Sequence, residues 1–344
     1  MVETHHRTFL IILGFLFLLP IFFIPGGVFN LEPAKSFLLV FAVVLATIVF
    51  LWESWRAGSV SIIWHYSILA AALLPVVYFL SAVLSAPSSP SLFGYNFEEG
   101  TFGFIFAGSL LLVLISTVFT SVSRVLQASA AVILSLLLIG LFSIVKILSG
   151  GFPVWGIFLT NTATPVGRWT DLASTFGLLA IISALVIGMI QVKRFLRIAL
   201  YIVFALSTLL LVIINFSLPL IFTAATSILL YFYFNKIEKH FLNISSPQAI
   251  SERFYKKPVF LPILLGVISI IAIIDPQISG DDTVSDVLSR TFNVASAEVR
   301  PSLSATLSIS KSALSSGTIL GSGPNTFSRD WLIYKPSDIN LTPF

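Results

Sequence analysis

The side chains best suited to chemistry lie in the last part of a chain that is otherwise strongly apolar. Asp275–Phe344 is the one long polar stretch, and it carries Arg290 and Arg300 among acidic residues, followed by a turn signal, Gly321-Ser322-Gly323-Pro324. Arginine side chains hold anionic oxygens through charge-assisted hydrogen bonds. We therefore expect the chemistry to take place where this polar segment folds back onto the apolar part of the chain.

The composition predicts what must position these residues. The chain is 57% hydrophobic and 10% charged, with a mean hydropathy of +1.01. A soluble domain carries about 25% charged residues, so this chain has too few to cover a surface in water. The sequence contains no cysteine, which excludes disulfides and thiolate sites. The predicted class is all-α, a polytopic membrane helix bundle.

Apolar runs close to the roughly 20 residues that cross a bilayer recur along residues 1–274. About nine are predicted, at residues 9–24, 37–52, 67–84, 102–119, 125–148, 172–190, 198–214, 218–234 and 259–274. The seventh and eighth are separated by Asn215-Phe216-Ser217-Leu218-Pro219, which predicts a tight helical hairpin. Residues 1–274 are thus predicted to be the transmembrane bundle, and residues 275–344 a large, partly helical external loop.

The distribution of Lys and Arg predicts the orientation. With the N-terminus inside, eleven basic residues fall on the inner side, and only Lys35, Lys146 and Arg168 fall on the outer side before residue 275. This is the bias expected for a cytoplasmic inner side. The external loop is then extracytoplasmic. All four histidines (His5, His6, His65 and His240) are predicted to be inside, where none could serve chemistry in that loop.

The external loop has its own predicted elements. Pro301 and Gly317 bracket a predicted helix at about Arg300–Ser316. Leu303, Leu307 and Leu314 fall on one stripe of it, and the other faces are rich in serine. The helix is expected to lie on the outer mouth of the bundle, with Arg300 at its beginning. The acidic stretch Gly280–Ser289 is predicted to be a loop.

Three stretches on the predicted outer side carry short motifs. They are Ser81-Ala82-Val83-Leu84-Ser85 with Pro90–Thr101 after it, Gly167–Ala173 before the sixth run, and Arg300 with Gly321–Phe327 after the ninth. In order, spacing and side they are similar to the motif loops of the O-antigen ligase and O-antigen polymerase superfamily of bacterial surface-polysaccharide enzymes. The resemblance covers about residues 30–344.

This resemblance implies an integral membrane glycosyltransferase of the bacterial cytoplasmic (inner) membrane that serves cell-envelope polysaccharide biosynthesis. The donor would be a polyprenyl-diphosphate-linked oligosaccharide, as on undecaprenyl diphosphate, and the acceptor a lipid or another carbohydrate. It implies no cofactor, no metal and no nucleic-acid partner. Arg168 and Arg300 match the family arginines that would bind the donor diphosphate, and Arg290 is a third candidate without a clear counterpart. Gly321 and Gly323 match the family turn.

Simpler explanations of the same residues stay open. Arg168 could be an ordinary loop charge beside an interfacial Trp169, and Arg300 a helix-flanking charge paired with Glu298. The glycine turn could merely end a helix. Asp171 could orient Arg168 or cap the sixth span. Asp281-Asp282 is expected to be a solvated part of the loop.

Two departures from the family pattern leave other functions open. Ligases of this family carry a histidine later in the loop, and further spans after it. We therefore expect this chain to be an N-terminal portion, either a fragment or a chain that ends early in nature, in which the catalytic base is not visible. Ser304 stands where the family often has Trp. One alternative is a transporter or flippase for lipid-linked glycans. Such a protein is expected to have ionisable residues within its spans, and Lys146 is the only one in the predicted spans. Another is a non-catalytic remnant. Ligase and polymerase are not distinguished, and the oligomeric state is unknown.

Overall fold

The computed structural model describes eleven stretches of the chain. These are residues 5–24, 31–60, 65–85, 88–95, 98–149, 163–189, 193–242, 260–279, 282–294, 303–315 and 321–335. The described residues form an all-α structure with one short antiparallel pair of strands. The helices are α1 (His6–Ile21), α2 (Leu31–Ala57), α3 (Tyr66–Leu84), α4 (Ser88–Leu92), α5 (Phe102–Val118), α6 (Val122–Leu148), α7 (Trp169–Met189), α8 (Arg194–Ile214), α9 (Ser217–Leu242), α10 (Phe260–Ile274), α11 (Val284–Phe292), α12 (Leu303–Ser315) and α13 (Phe327–Tyr334); the strands are β1 (Gln277–Ser279) and β2 (Asp282–Thr283).

Each predicted apolar run coincides with a helix among the described residues. Five of these helices, α2, α6, α7, α8 and α9, are long and apolar enough to cross a membrane. The others (α1, α5, α10 and residues Ile68–Leu84 of α3) are apolar but shorter. The all-α class is confirmed and the helices are those of a membrane protein, whereas nine crossings and their orientation remain predictions.

The predicted break between the seventh and eighth runs is present. Helix α8 ends at Ile214, and Asn215 follows in the left-handed region with a φ of 42°. Asparagine is one of the few residues besides glycine that adopt this conformation readily after a helix. Helix α9 begins two residues later, at Ser217. A local sequence signal was therefore sufficient to place this turn.

The chain divides into two compact units, and the division falls within α6. One unit contains residues 1–132 and 297–344, and the other contains residues 133–296. The compactness of a unit gives no information on which side of a membrane its residues lie. The predicted division into a bundle and an external loop at residue 274 therefore remains a prediction.

In the first unit, α1 packs on α2, and α5 packs on α2 and α3. One of its apolar core clusters is built from Phe9, Ile12, Ala46, Phe50, Leu114 and Val118. Glu53 of α2 also accepts hydrogen bonds from the backbone N–H of Arg7 at 3.0 Å and from Thr8 Oγ1 at 2.7 Å. The carboxylate thus satisfies an N–H group at the start of α1 that has no partner within the helix.

In the second unit, α7 packs on both α8 and α9, and α9 packs on α10. Close contact is possible because two positions of α7 lack a side chain. A Cβ atom on Gly177 would lie 2.6 Å from Thr223 Oγ1, and one on Gly188 would lie 2.6 Å from the ring of Phe234. Small residues at helix crossings are typical of membrane helices, whose association depends on close packing.

The predicted loop at residues 280–289 is wrong over residues 282–289. Asp282 and Thr283 form β2, and α11 begins at Val284. The Thr283 hydroxyl accepts from the backbone N–H of Asp286, while the Asp286 carboxylate accepts from the backbone N–H of Thr283. This capping box stabilises the start of α11. The prediction missed the helix because the acidic stretch was interpreted as a loop.

Helix α12 lies within the predicted range, but its stripe of leucines is not its buried face. Leu303, Leu307 and Leu314 are exposed, at 74%, 60% and 59% of their surface. The buried positions are Ala305, Ile309 and Ala313, and α12 packs against α13. Small alanines on either side of Ile309 allow closer packing than a row of leucines. Arg300, at the predicted start of this helix, lies outside the described residues.

Candidate functional site

Two of the three motif stretches meet in the first unit. The Gly321–Asn325 turn lies against the connection between α3 and α5, which contains Ser85, α4, Gly94 and Glu98. The two stretches are more than 200 residues apart in sequence. Their contact forms a small polar cluster that involves both motifs.

Gly323 is the point of closest contact. Its φ is 108°, a conformation that side chains rarely adopt, and an added Cβ would lie 2.8 Å from Ser91 Oγ and 2.9 Å from Ser85 Oγ. These two serines are buried and hydrogen-bonded to each other at 3.0 Å. Gly321 also has a positive φ, 74°, but a Cβ there would meet nothing within 4 Å. The two glycines are therefore required for different reasons, Gly321 for conformation and Gly323 for both conformation and space.

Asn325 links the turn to the acidic part of the first motif. Its Nδ2 donates a hydrogen bond to Glu98 Oε2. Asn325 has a φ of 60°, and a Cβ on Gly100 would lie 3.3 Å from Asn325 Oδ1. Thr101, which caps α5, holds the backbone next to Glu98 by donating to its carbonyl oxygen at 2.8 Å. The start of α5 thus positions the Glu98 carboxylate, which accepts the hydrogen bond from Asn325 of the turn.

A buried carboxylate holds the turn from its other side. Ser322 Oγ donates to Asp330 Oδ2, and Asp330 of α13 is buried. Thr326 Oγ1 donates to the carbonyl oxygen of Gly323 at 2.7 Å. The turn is therefore held by hydrogen bonds to α13 and its N-cap as well as by its contact with the α3–α5 connection. Sequence reasoning missed Asp330, because a lone acidic residue in a short helix carries no motif.

Arg168 lies in the second unit on an ordered turn before α7. Lys146 Nζ, almost completely buried at 1% exposure, donates to the carbonyl oxygen of Ala163 at 2.9 Å. The Asp171 carboxylate accepts from the backbone N–H of Arg168 at 3.0 Å. Gly167 has a φ of 146°, and a Cβ on it would lie 3.1 Å from Asp171 Oδ2. The Arg168 side chain is exposed.

These contacts bear on two of the open explanations. The hydrogen bond of Asp171 to the Arg168 backbone is that of a residue in the first helical turn that caps the start of α7. Trp169 is 4% exposed, so it is buried within the protein and is not an interfacial side chain. Lys146 links the last turn of α6 to Ala163, in the turn before α7.

Arg290 is already engaged by an acidic partner. Its Nη1 and Nη2 donate to the two oxygens of Asp282 at 2.9 and 2.6 Å, and both side chains are exposed. This bidentate hydrogen bonding raises the pKa of Arg290. Asp282 was expected to be solvated loop together with Asp281, and the loop prediction is wrong for Asp282, which lies in β2 with its exposed carboxylate paired to Arg290. Asp281 lies outside the described residues.

Asp275 connects α10 to α11. It has a φ of 48°, and its carboxylate accepts from the backbone N–H of Ser285 at 2.8 Å and from the Ser285 hydroxyl. Burial alone would raise the pKa of Asp275, but the hydrogen bonds from Ser285 outweigh it and lower the pKa below its ordinary value. In the described stretches, no group of three or more His, Asp or Glu side chains is close enough to hold a metal ion.

The chain was compared with protein-family models, with curated proteins and with solved structures, and none of them matches.

Proposed function

We propose that this protein is an O-antigen ligase-like integral membrane glycosyltransferase. It would move a glycan from a polyprenyl-diphosphate-linked donor to a lipid or carbohydrate acceptor on the outer side of the cytoplasmic membrane. The observation that carries the proposal is the contact of Gly323 with Ser85 and Ser91. It joins two of the three stretches on which the resemblance depends, as expected if they belong to one site.

In this proposal Arg168 and Arg300 bind the donor diphosphate. A planar guanidinium matches two phosphate oxygens at once. Near lipid, where water is scarce, fixed cations stabilise charge that develops in the transition state more strongly than water would. Arg290 is the weakest of the three candidates, because Asp282 already occupies both of its terminal nitrogens.

The transfer exchanges one bond at the anomeric carbon for another. The acceptor hydroxyl oxygen attacks that carbon, and the bond from it to the phosphate oxygen breaks. The diphosphate leaves with the electron pair, and the hydroxyl proton passes to a base. The arginines act on the leaving group, where negative charge accumulates as the bond breaks.

The direct test is transfer of a labelled glycan from a polyprenyl-diphosphate donor by the full protein in membranes. Arg168→Ala and Arg300→Ala should each lower the rate by about 100-fold or more, the loss typical when a group that stabilises developing charge is removed. Lys311→Ala is a matched control, since Lys311 is an exposed cation on α12, and it should leave the rate unchanged.

Normal transfer by both arginine variants at normal protein levels would reject the assigned roles. If the unmodified protein moved the lipid-linked glycan across a vesicle membrane without forming a new glycosidic bond, the transporter alternative would replace this proposal.

A further inference from the structure

The second unit contains an apolar groove that the proposed glycan transfer does not use. It lies between α8 and α10 and has a volume of about 480 Å³. The residues that line it are Tyr201, Phe204, Ala205, Thr208, Leu209 and Val212 from α8, with Phe260, Leu261, Leu264 and Ile268 from α10. This volume lies within the range of about 300–1,000 Å³ found for small-molecule sites.

The lining is suited to a hydrocarbon chain. Its one aliphatic hydroxyl, Thr208 Oγ1, already donates to the carbonyl oxygen of Phe204 at 2.8 Å. Leu209 and Leu264 are half exposed along the groove. Helix α8 is long and apolar enough to cross a membrane, and in the predicted topology the medium that meets this groove is lipid. A bound chain would remove these apolar side chains from contact with disordered lipid tails and fill the space between the helices.

Two arginines stand at one end of the groove on the same face of α8. Arg197 and Arg194 precede Tyr201 by four and seven residues, the spacing that places residues on one side of a helix. At 1.5 Å per residue they lie about 6 and about 10 Å along the axis from Tyr201. Lys193 precedes them directly. In the predicted topology this end of α8 faces the cytoplasm.

Arg197 also has unused hydrogen-bonding capacity. Its Nε is buried and has no hydrogen-bond partner among the described residues. The Arg197 side chain is partly exposed, and a guanidinium group binds phosphate oxygens through charge-assisted hydrogen bonds. Basic residues between membrane helices on the cytoplasmic side are the usual sites for acidic lipid headgroups.

We infer that the α8–α10 groove is a binding site for an anionic phospholipid, with one acyl chain between the helices and the headgroup phosphate on Arg194 and Arg197. The positive charge of the arginines favours an anionic headgroup. The apolar lining favours a hydrocarbon chain as the rest of the ligand. The site does not depend on the proposed glycan transfer.

The test uses the full chain, purified and placed in phosphatidylcholine nanodiscs that contain phosphatidylglycerol. Native mass spectrometry should show one phosphatidylglycerol retained in preference to phosphatidylcholine. Arg194→Gln and Arg197→Gln should each weaken this retention about fivefold, the effect of one basic residue near an anionic lipid. Lys236→Gln, which removes an exposed cation of α9 outside the groove, is the matched control and should have no effect.

A second pair of variants tests the chain-binding part. Ala205→Phe would fill the groove and should abolish retention. Ile202→Phe adds a similar ring to an exposed position of the same helix outside the groove and should leave retention intact.

A measurement on the unmodified protein covers the case in which a variant does not fold. Phosphatidylglycerol with a photoactivatable acyl chain should crosslink to peptides of α8 and α10. Equal retention of both phospholipids, crosslinks confined to other helices, or tighter retention of a polyprenyl phosphate than of phosphatidylglycerol would each overturn the assignment.

Discussion

Gly323 lies so close to Ser85 that no side chain fits between them. An added Cβ would overlap the Ser85 side chain and would lie 2.8 Å from Ser91 Oγ as well. This contact requires glycine, because only a residue without a Cβ both adopts a φ of 108° readily and leaves room for the neighbouring side chain. The turn and the α3–α5 connection are therefore structurally coupled, and a substitution in either one should perturb the structure of the other.

Gly323→Ala should release this contact, whereas Gly321→Ala should not. The first substitution adds both backbone strain and steric overlap, at a cost of about 2–4 kcal/mol. The second adds strain alone, about 1 kcal/mol, since a Cβ at Gly321 meets nothing within 4 Å. Hydrogen exchange of residues 321–335 measures both effects. Equal increases in exchange for the two variants would contradict the steric explanation.

Glu98 and Asn325 should be energetically coupled although 227 positions separate them. We expect a double-mutant cycle of Glu98→Ala and Asn325→Gly to give a coupling of about 1 kcal/mol, the contribution of a hydrogen bond to a partly exposed carboxylate. Glycine is the appropriate replacement because Asn325 has a positive φ. The readout is again hydrogen exchange in the turn, and strictly additive effects would show that the bond does not join the two motifs.

Arg290→Gln should leave the thermal stability of the protein unchanged. Its ion pair with Asp282 is exposed, and exposed pairs contribute little because water and salt screen them. Asp282→Asn should behave in the same way. Melting curves of the purified protein at low and high salt provide the measurement. A large fall in Tm for either variant would mean that the pair supports the fold of the segment from β2 to α11.

The connection between α10 and α11 should loosen in acid. The pKa of Asp275 is lowered in the folded protein, so its contribution to stability is present above the ordinary aspartate pKa of about 3.9 and is lost as the pH falls through the lower folded value. Ser285→Ala removes one of the hydrogen bonds responsible, and loosening should then begin at a higher pH. Protease susceptibility of residues 275–294 against pH tests this. The same acid profile with and without the Ser285 hydroxyl would contradict it.

The helices were predictable from the sequence because hydrophobicity and helix punctuation are local properties. The apolar runs coincide with helices, Asn215 ends α8 where the break was expected, and α12 lies within its predicted range. The glycines of the Gly321–Gly323 turn were also recognisable from the sequence, since positions with a positive φ are usually occupied by glycine.

Only the tertiary structure decided which surfaces and charges meet. The buried face of α12, the pairing of Arg290 with Asp282 and the hydrogen bond of Asn325 to Glu98 each depend on a partner elsewhere in the chain. A periodic pattern states that a helix has an apolar stripe, but it does not state what lies opposite. The buried face of α12 consists of Ala305, Ile309 and Ala313, because close packing rewards the side chains that fit the neighbouring surface over those that are merely more hydrophobic.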